Sequence, residues 1–427
     1  MRVEEVDEGR IIVIGGGASG MMATGRAAEC GAQVLLLEKT RRLGNKLRIT
    51  GKGRCNLTNF TDLPDFISHF GPDGLFLRNA FARFFNQDLI DFFAAQGVPT
   101  VVERGQRVFP ASNDAHQVAD ALTGYLRQSG ARVRFRARVV EMETEGGRIA
   151  GVRTEEGEVL TAKAVIVATG GASYPGTGST GDGYHLAKAL GHTIVPIRPA
   201  LVPLVVKEGH AEALQGLSLK NVEVSLLLDG QPVIRQFGEM LFTHFGVSGP
   251  IILTLSAHAV DRLGQGKLEL SINLKPALSD EQLDRRLQRD FNRFSKRAFH
   301  NILKELLPRK MITPFVQLTG IPPNKPGHQI SAAERKRLFS LLRDFRLTIV
   351  GHRPIAEAIV TAGGVSTREV DPRTMESRLV NGLYFCGEVI DISADTGGYN
   401  LQAAFSTGYV AGQSAAQAVA ESLQRRT

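Results

Sequence analysis

Residues 11–38 read Ile11-Ile12-Val13-Ile14-Gly15-Gly16-Gly17-Ala18-Ser19-Gly20, then a helix-permissive run to Cys30 and Gly31, then Val34-Leu35-Leu36-Leu37-Glu38. The two unbroken apolar runs have the signature of strands buried on both faces of a parallel sheet. Between them the helix ends at Gly31, a suitable C-terminal glycine. The whole is a βαβ unit. Gly15-x-Gly17-x-x-Gly20 lies at its strand-to-helix turn, and Glu38 closes the second strand 18 residues after Gly20. Glycines there let the backbone turn tightly and approach a pyrophosphate, whose charge the helix N-terminus favours, while the carboxylate accepts ribose hydroxyls and repels a 2′-phosphate. This predicts dinucleotide binding, without separating FAD from NAD.

Further along, Phe76, Phe81, Phe84, Phe85, Leu89, Phe92 and Phe93 predict helix from Leu75 to Gly97, with the phenylalanines as core. A helix is expected over Asp114–Gln128, and another buried strand at Ala164–Ala168. After Gly191, alternation at Val222, Val224 and Leu226 and at Leu268, Leu270, Ile272 and Leu274, with an Asp229-Gly230 turn, predicts a β domain. Phe345–Val350 reads as a returning strand, Leu383–Cys386 as a buried one, and Leu401–Leu423 as the last helix.

The chain has 427 residues, 43% hydrophobic and 22% charged, which suits two or three globular domains and excludes disorder or a disulfide scaffold. Its acidic start, Met1 to Glu8, lacks the order of a secretory signal, and no run approaches about 18 apolar residues, so a cytoplasmic protein without membrane spans is expected. Cys30, Cys55 and Cys386 offer neither a Cys-x-x-Cys pair nor metal-ligand spacing; no metal site is predicted.

The net charge of +8 is local. From Lys275 to Arg343 there are 15 Lys or Arg and 6 Asp or Glu, which exceeds the whole excess. Ser279-Asp280-Glu281-Gln282 and Ser331-Ala332-Ala333-Glu334 fit capping boxes, so this segment is expected to be helical. Its charge reads first as a solvated face, with an acidic partner second and nucleic acid disfavoured.

Two more glycine clusters choose the cofactor. Thr169-Gly170-Gly171-Ala172-Ser173-Tyr174-Pro175 follows the strand ending at Ala168. Gly176-x-Gly178-x-x-Gly181 matches the fingerprint by letter, but no acidic residue follows between Asp182 and Glu208, so it reads as a loop leading into a helix at Tyr184–Leu190. Gly387-Glu388-x-x-Asp391 precedes Thr396-Gly397-Gly398-Tyr399-Asn400-Leu401-Gln402 at the last helix. A helix N-terminus there would stabilise the charge a reduced flavin gathers near N1, and Glu388 and Asp391 suit ribityl hydroxyls.

Gly44 to Asn59, Arg107-Val108-Phe109-Pro110, Ala168 to Gly183, Glu239 to Pro250 and Gly387 to Gln402, in that order, resemble the bacterial BaiN/RdsA (YhiN-like) family of FAD-dependent oxidoreductases, which includes aminoacetone oxidase-type enzymes. The resemblance implies an α/β fold. Its Rossmann-like, glutathione-reductase-like FAD domain (1–195 and 353–427) would hold an inserted β-barrel-like domain (196–274 and 344–352) carrying a small basic helical domain (275–343). The FAD contacts it implies are Gly15, Gly17, Ala18, Gly20, Glu38, Lys39, Lys46, Gly53, Arg54, Cys55, Asn56, the Val139 backbone, Thr169, Gly170, Gly387, Glu388, Asp391, Gly398, Asn400 and Leu401. Lys52 departs from the family's small residue, adding charge near the flavin or pointing outward.

Because a flavin carries the redox chemistry, no triad is expected. Arg54 either binds an anionic substrate or structures its loop. Tyr174 either donates a proton or packs. His244, in a loop entering from the β domain, is the candidate for proton transfer across an interdomain cleft. Cys55 is either a lowered-pKa thiol beside Arg54 or a buried structural one. Three functions follow: hydride transfer to or from a small organic substrate at flavin N5, with NAD(P)H as transient co-substrate; an amine oxidase using O₂; or a non-enzymatic flavin module docking an acidic partner. Oligomeric state is not legible.

Overall fold

The computed structural model describes residues 9–425, so the acidic N-terminal stretch lies outside the described residues. The chain forms two compact units, one ending at Pro199 and resuming at Ile359, the other spanning Ala200–Ala358.

The first unit is built on a five-stranded parallel sheet. β1 (Ile11–Ile14) lies between Ala164–Val167 and β2 (Val34–Glu38), with Leu383–Phe385 and Arg132–Phe135 at the edges. Ile11 is in register with both Ala164 and Val34. All four residues of β1 are buried, which is why the run shows no alternation. α1 (Ala18–Glu29) connects β1 to β2. The C-terminal helix, Tyr399–Gln424, crosses α1 at very short range: a Cβ added at Gly408 would lie 2.4 Å from the Ser19 carbonyl oxygen, and one at Gly412 2.3 Å from that of Ala23. That helix begins two residues before Leu401, so Asn400, Leu401 and Gln402 form its first turn.

The single helix expected over Leu75–Gly97 is instead three pieces: a 3-10 segment Gly71–Leu77, helix Arg78–Arg83 and helix Asn86–Ala95. Phe84 is extended, with φ −153° and ψ 98°. Its carbonyl accepts from Ser406 Oγ at 2.7 Å, while the Asp88 carboxylate accepts from Phe85 N–H at 2.7 Å and restarts the helix. Tertiary and capping hydrogen bonds replace intrahelical ones at the break. The phenylalanines do form core: Phe66 packs edge-on against Phe81, Phe85 and Tyr399.

The second unit holds a closed six-stranded barrel. Its strands run Leu204–Val206, Gly246–Ser248, Gln231–Thr243, Ser218–Leu228, Leu268–Asn273, Phe345–His352, and the last pairs back to the first. The basic segment is inserted between two adjacent strands. Its helices Asp280–Arg293 and Ala332–Arg343 start at complete capping boxes on Ser279 and Ser331. Leu283, Phe299, Phe315 and Leu338 share one core with Leu270, Phe345 and Leu347 of the barrel, so barrel and helices form one unit. Among the described residues, no helix is long and apolar enough to cross a membrane.

Candidate functional site

The β1–α1 turn is shaped by close approach. A Cβ at Gly20 would lie 1.9 Å from the Gly15 carbonyl oxygen, and one at Gly15 2.7 Å from that of Ala168. At Gly17 it would meet nothing within 4 Å, so the open space of the turn is there. Gly17 is the N-cap of α1, no side chain caps it, and no acidic residue occupies the first turn, which leaves Ala18 to open a helix with uncapped amides. Glu38 is 8% exposed and is fixed by two backbone donors, Gly16 N–H to Oε2 and Thr40 N–H to Oε1, each at 2.7 Å. Each carboxylate oxygen retains a lone pair for a hydroxyl. A glycine cradle that one methyl would fill, an uncapped helix start and a held carboxylate are the donor set a dinucleotide needs.

Lys39 turns to the glycine loop, donating to Thr180 Oγ at 2.5 Å and Asp182 Oδ2 at 2.8 Å. Arg138 also reaches Asp182, and Val139 beside it starts a strand paired with Thr154. Burial alone would raise the Asp182 pKa, but hydrogen bonds from Lys39 and Arg138 outweigh it and hold it down to about 2.

The other two turns meet this one through a polar knot. Lys46 Nζ donates to Ser173 Oγ and to Glu388 Oε2, both at 2.7 Å. Glu388 Oε1 accepts from Thr361 N–H at 2.8 Å, and Thr361 Oγ accepts from Ala172 and Ser173 N–H at 2.9 and 3.1 Å. A Cβ at Gly387 would lie 2.4 Å from Ser19 Oγ, and one at Gly398 2.4 Å from the Thr58 carbonyl. Asn59 Nδ2 donates to Gly397 O at 3.2 Å. Loops 44–59, 169–174 and 387–398 therefore converge on the start of α1, although more than 300 residues separate the first from the last.

Residues 9–414 match the HI0933-like protein Rossmann domain family. The chain belongs to this family. It is 35% identical over 411 residues, 96% of this chain and 99% of the relative, to a 3-dehydro-bile acid Δ(4,6)-reductase of Clostridium scindens. It is 32% identical over 403 residues, 94% and 96%, to a ribosomal RNA dihydrouridine synthase of Escherichia coli. Among solved structures, 3-ketosteroid Δ1-dehydrogenase from Sterolibacterium denitrificans matches with a TM-score of 0.52 and 13% identity, over 96% of this chain and 99% of that one, a likeness of fold. This HI0933-like protein is an FAD-dependent oxidoreductase.

Several residues expected to touch FAD also bond within the chain. Both Glu388 oxygens accept hydrogen bonds in the polar knot, so its carboxylate joins loop 44–59 to Thr361. Asn400 spends its side chain on Ala394 N–H and O at 2.9 Å each and on Asp395 O at 3.2 Å, fixing the loop before the last helix. Asp391 is half-buried, and burial, then Asp73, raises its pKa. Gly53, Arg54, Cys55 and Asn56 form a tight turn in which Gly51, Lys52, Gly53 and Cys55 all have positive φ. Lys52 is exposed. Asn56 Oδ1 is buried without a partner, a vacancy suited to a ligand donor. Thr169 Oγ is also buried and unpartnered, and it faces Gly183, where a Cβ would come within 2.1 Å. Gly170 and Leu401 lie partly exposed on two of the converging loops.

The catalytic candidates divide. Arg54 donates to Asn113 Oδ1 at 2.7 Å, pairs with Glu103, and stacks 4.2 Å from the Phe109 ring centre, which is the loop-structuring role. Cys55 is fully buried and burial pushes its thiol up, so a lowered-pKa thiol is excluded by its surroundings. Tyr174 is 37% exposed on a left-handed backbone at φ 52°, strain of the kind kept at functional positions. His244 belongs to the barrel unit, exposed, its ring edge-on to Phe245. Sequence patterns gave no sign of Thr361, since it sits in the uniformly buried strand Val360–Val365 without a motif.

Proposed function

We propose that this protein reduces a carbon–carbon double bond conjugated to a carbonyl, taking electrons from NAD(P)H in a ping-pong cycle. The observation that carries this is the pairing of relatives. A bile acid Δ(4,6)-reductase and a dihydrouridine synthase share at 32–35% identity the chain that forms this cradle, and their named products differ in everything but the bond change. Saturating an enone and saturating the uracil ring both add hydride to the carbon β to a carbonyl and a proton to the α carbon, and the Δ6 bond of a 4,6-dien-3-one is the vinylogous case, with hydride at the δ carbon. The substrate class is therefore a conjugated carbonyl, either a free small molecule or a nucleobase.

FAD, when bound, supplies the two-electron hydride chemistry. Gly15, Gly17 and Gly20 admit its pyrophosphate against the amides opening α1, and Glu38 takes the ribose hydroxyls. The start of helix Tyr399–Gln424 offers uncapped N–H groups to negative charge near the flavin N1, and the Lys46–Ser173–Glu388–Thr361 knot holds the three loops in place. Tyr174 is assigned as donor of the α-carbon proton, with Arg54 structuring its own loop. The test is anaerobic mixing with NADH or NADPH, then with a steroid enone, a small enone or a uridine oligonucleotide. Bleaching by the nicotinamide and recolouring by one of these acceptors is expected. Bleaching by an amine, with peroxide released in air, would replace this reading by the oxidase one.

A further inference from the structure

His69 and His116 each pair with an aspartate, and the two pairs differ in kind. His116 reaches Asp114, two residues away at the exposed start of its own helix, which is a local cap. His69 follows the short helix Leu63–Ser68, and its Nδ1–H donates at 3.0 Å to Oδ2 of Asp395, 326 residues further along. A carboxylate only accepts, so this bond commits Nδ1 and leaves Nε2, which has no partner among the described residues, to exchange a proton. The plane of the ring is fixed as well. It stacks on Tyr399 with centres 4.0 Å apart and planes at 21°, and Tyr399 is buried edge-on to Phe66.

Fastening the loop does not require this side-chain pair. Asp395 N–H already donates to His69 O at 3.3 Å, and Asn400 Nδ2 donates to Asp395 O at 3.2 Å. What the pair adds is an imidazole, 29% exposed, held at a chosen place. Asp395 stands three residues before Gly398, the N-cap of the last helix, and Thr396, Gly397 and Gly398 between them are partly exposed. A second segment meets the same turn: Asn59 Nδ2 donates to Gly397 O at 3.2 Å, and the next residue, Phe60, is exposed. One glycine turn therefore carries a proton-exchanging nitrogen on one attached segment and an open aromatic ring on the other.

We infer that His69, oriented by Asp395, is a catalytic residue that gives its Nε2 proton to the carbonyl oxygen of the conjugated substrate, whose plane lies toward Phe60. This rests on the proposed reduction. As hydride from the reduced flavin adds to the β carbon, the C=C pair moves to the bond between the α carbon and the carbonyl carbon, and the C=O pair moves to oxygen. The Nε2–H bond breaks and an O–H bond forms. When the α carbon takes its proton from Tyr174, the carbonyl forms again and the proton on oxygen returns to Nε2. The substrate has then gained one hydride and one proton, and His69 ends as it began. Asp395 holds the ring in one orientation and stabilises the imidazolium present before and after the step.

The experiment measures binding without turnover. Para-chlorophenol, whose phenolate copies the oxygen of an enolate, is titrated into the oxidised, FAD-loaded protein, with para-chloroanisole, which has no ionisable oxygen, as the control. Saturable phenolate binding with a long-wavelength charge-transfer band is expected in the parent. His69→Gln and, separately, Asp395→Asn should each weaken it about tenfold, while chloroanisole affinity and bound flavin stay those of the parent. Asp395→Asn keeps an acceptor for Nδ1–H, so the test remains decisive if His69→Gln fails to fold. Reoxidation of the reduced His69→Gln enzyme by a small enone should be about a hundredfold slower in single-turnover mixing. A parent that binds no phenolate, variants that bind it as the parent does, or variants that lose phenolate and anisole alike would overturn the inference. A parent that no enone reoxidises would sink the proposed reaction, whereas enone turnover with phenolate binding indifferent to His69 would sink this inference alone.

Discussion

Gly17 and Gly20 stand three residues apart and do opposite work. Gly20 lets α1 touch the Gly15 carbonyl, so Gly20→Ala should destabilise the fold by about 3 kcal/mol, read by urea denaturation. Gly17 has a φ of −80° that alanine tolerates and open space beside it, so Gly17→Ala should keep stability within about 1 kcal/mol. It should nevertheless lose FAD affinity by about tenfold or more in titration of the apoprotein. Equal stability losses in both variants would contradict the assignment of that space to a ligand. Tyr174→Phe should slow reoxidation of the reduced enzyme by the conjugated substrate about a hundredfold and leave its reduction by NAD(P)H unchanged, as stopped-flow mixing would show. The close approaches at these glycines and the strand-end place of Glu38 were legible in sequence because they follow from the local chain. The bonds of Glu388 to Lys46 and Thr361, and of Asn400 to the Ala394 backbone, were not, because those partners are set by folding.

At the scale of elements, α1 packs on the C-terminal helix, and Gly408 and Gly412 set their separation. Gly408→Leu would drive a side chain into the Ser19 carbonyl, and about 1–3 kcal/mol of stability should be lost together with flavin retention. A variant that melts like the parent and stays yellow would remove this interface from the account. A second joint is the ion pair between Lys39 and the loop at Asp182. With its pKa held at about 2 in the folded chain against 3.8 ordinarily, Asp182 contributes stability present above about pH 4 and lost as pH falls toward 2. Lys39→Met should therefore lower stability at neutral pH and flatten its decline below about pH 4, measured by denaturation across that range. Strand and helix positions were readable because burial on two faces and capping boxes leave plain patterns, as at β1 and Ser279. The break at Phe84 was not, since it depends on Ser406, more than 300 residues away.

At the scale of the molecule, the chain keeps its nucleotide chemistry in one unit and its surplus charge in the other. The order of segments was visible in the change from parallel-sheet runs to alternating strands to capped basic helices. That the helices share a core with the barrel was not, because Phe315 and Phe345 meet only once the strands close. The convergence of loops 44–59, 169–174 and 387–398 is the claim on which cofactor, reaction and proton donor depend. Calorimetric titration of FAD into the apoprotein tests it most directly. One equivalent should bind tightly to the parent and far more weakly to Glu38→Ala and Gly17→Ala, both still folded; an apoprotein that takes up no FAD, or variants that bind it as the parent does, would contradict the account.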